Sequence, residues 1–173
     1  MARVVSNDGP RLEVGVGQAD RELQQYIHGS SSDEENLRRC VAAVSRDRRP
    51  GSGSHPLSRL VRQRWLRSVL LDNPSLIGVS DLDPVVPLRP SATVLRVEPA
   101  AAFSPTGRAV VVTSVGVDPD LLPEAVDYRH RVDPTAKLIL VLPSRDKELA
   151  TSRLVGMVAN VEVVAIDEPW SAK

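Results

Sequence analysis

Four carboxylates and one Ser–Arg pair are the residues of this chain whose type and spacing could do chemistry. Glu98 follows a predicted strand and precedes Pro99; Asp118 and Asp120 flank Pro119 between a predicted strand and a predicted helix, and Glu124 lies one turn further on. Carboxylates at strand ends can hold a divalent cation, which polarises a phosphate and its attacking water. The same residues have plainer uses. An acid after a strand is commonly just solvated, and an Asp before a helix accepts from its free amides. Ser144 and Arg145 stand in Pro143-Ser144-Arg145-Asp146, at a second predicted strand-to-helix junction. Ligands of open α/β sheets bind at such carboxyl ends, and helix N-termini favour anions, so this pair could hold a phosphate. The simpler use of Ser144 is as a plain helix N-cap. His28, His55 and His130 lie in separate segments without ligand spacing. No nucleophile elbow, phosphate-binding loop or zinc-protease motif occurs. Cys40 is the one cysteine, which excludes an intrachain disulfide and a zinc site of several cysteines.

A second cluster is electrostatic. The net charge is zero, but it is unevenly spread. Residues 1–37 carry three Arg against seven acids, a net of −4; residues 38–67 carry nine Arg against Asp47, a net of +8; the rest carries ten bases against fourteen acids, again −4. The central block comprises Arg38, Arg39, Arg46, Arg48, Arg49, Arg59, Arg62, Arg64 and Arg67, with Trp65 its one aromatic residue. Nucleic-acid backbones reward such a block through counterion release. Aromatic content of 3% leaves few platforms for base stacking. A protein partner, self-association, or a solvated helix clamping the acidic N-terminus are the competing uses. Nineteen Arg against three Lys, with many Ala, Val and Pro, also fits the codon bias of a high-G+C genome.

The elements that must position these residues follow from periodicity. Residues 1–17 read as a loosely ordered tail with one short strand at 12–16. A helical arm spans 18–47, built from helices over 19–28 and 33–46. Ser32 and Glu35 form a capping box ahead of the second helix, whose narrow apolar face is Leu37, Val41 and Val44. The Pro-, Gly- and Ser-rich stretch 48–56 reads as a linker. An α/β core then runs over 57–168, followed by a short tail at 169–173. Pro56 can open a helix over 57–72 that Asn73-Pro74 ends. A short strand is expected at 82–86, and strands at 93–97 and 109–115 as an antiparallel hairpin turning at Ser104-Pro105-Thr106-Gly107. Strand 108–117, helix 121–131, strand 137–142, helix 147–159 and strand 161–166 complete a parallel α/β core. The fold class is therefore α/β: one small mixed sheet, an antiparallel hairpin plus a parallel βαβ, preceded by a helical arm.

This order of elements resembles the restriction-endonuclease-like superfamily, the PD-(D/E)XK nucleases. Leu70-Leu71-Asp72-Asn73-Pro74-Ser75-Leu76-Ile77-Gly78 is similar to the helix end that precedes the catalytic hairpin in the single-strand and mismatch endonucleases of that group. The resemblance covers roughly 57–167. It implies an Asp at one strand end and a Glu-x-Lys in the next strand, holding Mg²⁺ or Mn²⁺. Here the next strand reads Val110-Val111-Val112-Thr113-Ser114-Val115, with no Glu-x-Lys. Glu98 could fill the position of the Asp, and Asp118, Asp120 or Glu124 could supply a migrated carboxylate, but the Lys has no counterpart nearby. The resemblance thus implies a degenerate site, and a fold without its site does not license the family's activity.

The sequence accordingly points to a non-catalytic protein without cofactor that docks to a protein partner or to itself through its N-terminal helices, in a nucleic-acid-associated setting. One alternative is an active nuclease using Mg²⁺ or Mn²⁺ on migrated carboxylates. Another is a binder of phosphorylated small ligands at Ser144 and Arg145. No run of apolar residues is long enough to span a membrane and no secretory leader is legible, so a cytoplasmic location is expected.

Overall fold

The computed structural model describes residues 2–5, 11–16, 18–28, 30–49, 51, 59–88, 99–147 and 155–171. The chain divides into two compact units: Met1–Val61 with Trp170–Lys173, and Arg62–Pro169. The fold is mixed α/β, with one five-stranded mixed sheet and, among the described residues, four α-helices. None of these helices is long and apolar enough to cross a membrane.

In the first unit, β1 (Ala2–Val5) and β2 (Arg11–Val14) form an antiparallel ladder running from Ala2 opposite Val14 to Val5 opposite Arg11. β2 falls within the segment where a short strand is expected at 12–16, and β1 has no counterpart in the sequence reading. Helix α1 spans Gln18–His28 and α2 spans Asp33–Asp47. Ser32 caps α2 by accepting from the Glu35 amide at 3.2 Å. Only that half of the capping box is built, because the Glu35 carboxylate is engaged one turn on by Arg39 at 2.5 Å. The small core consists of Val14, Val16 and Cys40, with Leu12, Leu37, Val44, Leu60 and Val61 partly buried against it. The inward face of α2 is thus Leu37, Cys40 and Val44; Val41, expected on that face, is 43% exposed.

In the second unit, helix α3 covers Arg62–Asp72. The helix expected over 57–72 is interrupted: residues 57–58 lie outside the described residues, Arg59 is helical, and Val61 sits at φ 42°, a left-handed conformation that no β-branched residue holds inside an α-helix. A 3₁₀ turn, Pro74–Ile77, follows and stops at Gly78, whose φ of 73° suits glycine. The sheet contains β3 (Asp83–Pro84), β4 (Ala100–Ser104), β5 (Ala109–Thr113), β6 (Lys137–Pro143) and β7 (Val161–Ile166), in that spatial order. The first two pairings are antiparallel and the last two parallel. The hairpin partner of β5 is Ala100–Ser104, a small-residue run with little β-propensity. The strand expected at 93–97 lies outside the described residues. So does most of the helix expected over 147–159; residues 156–160 are turns and bends.

Helix α4 (Leu121–Val132) links β5 to β6. Its Leu121, Ala125 and Tyr128 pack on Val110, Val112, Leu138, Leu140 and Leu142, the alternate residues of one sheet face. Leu66 and Leu70 of α3, with Ile77, pack on Ala102, Ala109, Val111, Ile139 and Val141 of the other. Every residue of β5 is buried, as expected of a strand covered on both faces. The β4–β5 turn is clasped by Asp81, which accepts from the Ser104 hydroxyl at 2.6 Å and the Thr106 hydroxyl at 2.7 Å. Those bonds, Ser104 first, hold the Asp81 carboxyl below its ordinary value.

Candidate functional site

The carboxyl ends of β5, β6 and β7 lie side by side, so their connections assemble one polar cluster. After β5, Ser114 donates its amide to the Val141 carbonyl at 3.2 Å. Gly116, at φ 82°, donates its amide to Asp146 Oδ2 at 2.7 Å. After β6, the chain enters a three-residue 3₁₀ turn, Ser144–Asp146. The Ser144 hydroxyl donates to the Ile166 carbonyl of β7 at 3.2 Å. Arg145 lies between two acids, with Nε 2.6 Å from Glu168 Oε1 and 3.5 Å from Asp146 Oδ1. The guanidinium remains 54% exposed, whereas Glu168 and Asp146 are mostly covered.

This geometry favours internal closure over anion capture. A phosphate reaching Arg145 would have to displace or tolerate two carboxylates already facing it. Asp146 and Glu168 are the residues that sequence reasoning missed. Each directly follows or nearly follows a parallel strand at the level of Arg145, which is the signal that could have found them.

The nuclease candidates are placed differently. Glu98 lies outside the described residues. Asp118 accepts from the Asp120 amide at 3.0 Å, closing a local turn. Asp120 occupies the N-cap position of α4 but makes no side-chain capping bond there. Glu124 is buried on the first turn of α4. Among the described residues no group of three or more His, Cys, Asp or Glu is gathered as a metal site would require.

The arginine block is divided between the two units, and most of its guanidinium groups are engaged by groups of their own unit. Arg38 pairs with Glu34 at 2.6 Å and Arg39 with Glu35 at 2.5 Å, both one helical turn back. Arg46 pairs with Asp47 at 2.9 Å. Arg48 donates to the Leu60 carbonyl, and Arg49 to the Ser45 carbonyl at 3.0 Å. Arg59 is exposed, and Arg62 and Arg64 are half-buried. Trp65 is buried on α3. Arg67 donates to the Ala101 carbonyl at 3.1 Å and the Val85 carbonyl at 3.4 Å; burial, helped by the neighbouring Arg64 charge, pulls its guanidinium below the ordinary value. A division at residue 37 cuts between Glu34–Glu35 and the arginines they pair with. The block therefore offers less free positive charge than its count suggests.

The first unit exposes apolar surface instead. Leu23, Tyr26 and Ile27 of α1 are 53%, 90% and 54% exposed, and their i, i+3, i+4 spacing places them on one stripe. No protein-family model, curated protein or solved structure matches the chain.

Proposed function

We propose that this chain is a non-catalytic docking protein. Its N-terminal unit engages a protein partner through the Leu23–Tyr26–Ile27 stripe of α1, and its arginines supply a rim in a nucleic-acid-associated setting. The exposure of Tyr26 carries the reading: a helix that leaves a tyrosine and two aliphatic residues to solvent on one face lacks the partner that an amphipathic helix normally covers. Tyrosine is also among the residues that dominate binding energy at interfaces. The nucleic-acid setting rests on the nuclease resemblance and on the arginine block. The absence of a Glu-x-Lys in 109–115 supports a non-catalytic role.

A photo-crosslinking residue in place of Tyr26, used in the native host, tests it. The expected result is a discrete protein adduct that disappears when Leu23 and Ile27 are both changed to Asp. No adduct, or one indifferent to those changes, would sink the docking reading. Fluorescence anisotropy with labelled DNA and RNA across a salt series, with and without Mn²⁺, tests the rest. Salt-dependent binding that leaves the oligonucleotide intact supports it. Cutting that is lost in Glu98→Ala would replace it with the metal-dependent nuclease.

A further inference from the structure

The two edges of the sheet are built on different plans. The β3 edge is two residues long, and both Asp83 and Pro84 discourage a further strand: one is charged and the other has no N–H to give. The β7 edge is six residues, Val161-Glu162-Val163-Val164-Ala165-Ile166, four of them β-branched aliphatics, with no Pro, Gly or Lys. Its one charge is already neutralised, because Glu162 lies 2.5 Å from Lys137 of β6. Among the described residues no strand pairs with the outer side of β7.

The ladder fixes which groups face outward. Leu138 donates its amide to the Asn160 carbonyl at 2.9 Å, and β6 and β7 run parallel with Leu138 opposite Val161. In a parallel pair the N–H and C=O of one residue point to the same side, and successive residues alternate. Asn160, Glu162, Val164 and Ile166 therefore serve β6. Val161, Val163 and Ala165 present their N–H and C=O to the outer side, where no described strand pairs with them.

We propose that a second copy of this chain occupies that edge, β7 pairing antiparallel with β7 across a two-fold axis at Val163. The strand is self-complementary in this register. Val163 faces its own copy and Val161 faces Ala165, so all three outward residues meet outward residues and close about six N–H···O bonds. Glu162 falls opposite Val164. Moving the axis to Glu162 would set two carboxylates opposite each other, which is destabilising. Moving it to Val164 would leave Val161 beyond the end of the partner strand. The two sheets become one continuous ten-stranded sheet, an isologous contact of the kind that two-fold dimers use.

The test is the oligomeric state of the full chain by sedimentation velocity over a concentration series, for wild type, Val161→Pro and Ala165→Pro. Each proline removes an amide that faces away from β6, so the internal ladder is kept. Wild-type dimer with monomeric proline variants of unchanged circular dichroism is the expected result. A wild type that stays monomeric at every concentration overturns the proposal, as does a dimer that survives both prolines. If the proline variants fail to fold, placement of one thiol decides instead. In a Cys40→Ala background, Val163→Cys should give covalent dimers with a short bismaleimide and Val86→Cys should not; equal yields, or none, overturn it. Crosslinking through position 26 is expected to persist in the proline variants, so the α1 and β7 surfaces can fail separately.

Discussion

The two units solve the problem of burial unequally. In the second, eighteen buried residues in two clusters fill both faces of the sheet. At roughly 1.5–3 kcal/mol per fully buried aliphatic side chain, that core can hold itself together. Among the described residues of the first, the buried apolar side chains are Val14, Val16, Cys40 and Trp170, while Val4, Leu23, Tyr26, Ile27 and Val41 stay exposed. A small unit that buries so little apolar surface gains little to offset the entropy of ordering its backbone. The difference separates a unit filled on both faces of its sheet from one with few buried apolar side chains among its described residues, and the docking proposal rests on that contrast.

Substitution in the two cores gives the largest expected contrast. Leu66, fully buried between α3 and the sheet, should cost about 2–5 kcal/mol when changed to Ala, because little can collapse into the space. Leu37, only partly buried on α2, should cost roughly 1 kcal/mol. Urea unfolding followed by circular dichroism and by tryptophan fluorescence measures both. Equal costs would break the comparison and place the first unit on the same footing as the second. Probes whose transitions separate would sharpen it, since two-state behaviour holds only when the units unfold together.

A smaller effect is expected at the start of α2. Ser32→Ala removes the acceptor of the Glu35 amide, a change worth about 1 kcal/mol at a helix N-cap. With so little core behind it, α2 should respond locally. Amide exchange over 33–47 should quicken several-fold while β5 and β6 keep their protection. Uniform loss of protection in both units would show that they open as one.

How legible this was depended on which force set each feature. Strand 161–166 matches β7 residue for residue, and 137–142 and 121–131 match β6 and α4 within one residue, because long apolar runs and helical spacing report burial directly. Ala100–Ser104 escaped because Ala-Ala-Ala-Phe-Ser has no strand signal of its own; its place beside β5 is a tertiary decision. The break at Val61 escaped because nothing in a Leu-Val-Arg sequence announces a positive φ. At the strand ends the sequence offered Ser144 as a helix cap or, with Arg145, as an alternative anion site; their partners in the structure, Ile166 and Glu168, are some twenty residues away along the chain. Charge counted along the sequence likewise could not show that Arg38 and Arg39 are answered one turn back.

The smallest effect concerns how far into acid the second unit keeps its turns. Asp133 accepts from the Thr135 hydroxyl at 2.7 Å and the Thr135 amide at 2.9 Å, and from Arg108 at 3.1 Å. These bonds, that of the Thr135 hydroxyl first, bring its carboxyl from an ordinary 3.8 down to about 2. A carboxyl depressed on folding stabilises the fold above its unfolded value and stops doing so as pH falls through its folded value. The contribution of Asp133 should thus be whole above about pH 4 and vanish toward pH 2. Carboxyl-carbon NMR should place the Asp133 midpoint near 2 in the wild type and move it toward 3.8 in Thr135→Val, which keeps the β-branch and loses the hydroxyl. A midpoint unmoved by that change would shift the cause to Arg108. Arg108→Gln would then be the variant that raises it, and the turn would be held by charge instead of by the Thr135 clasp.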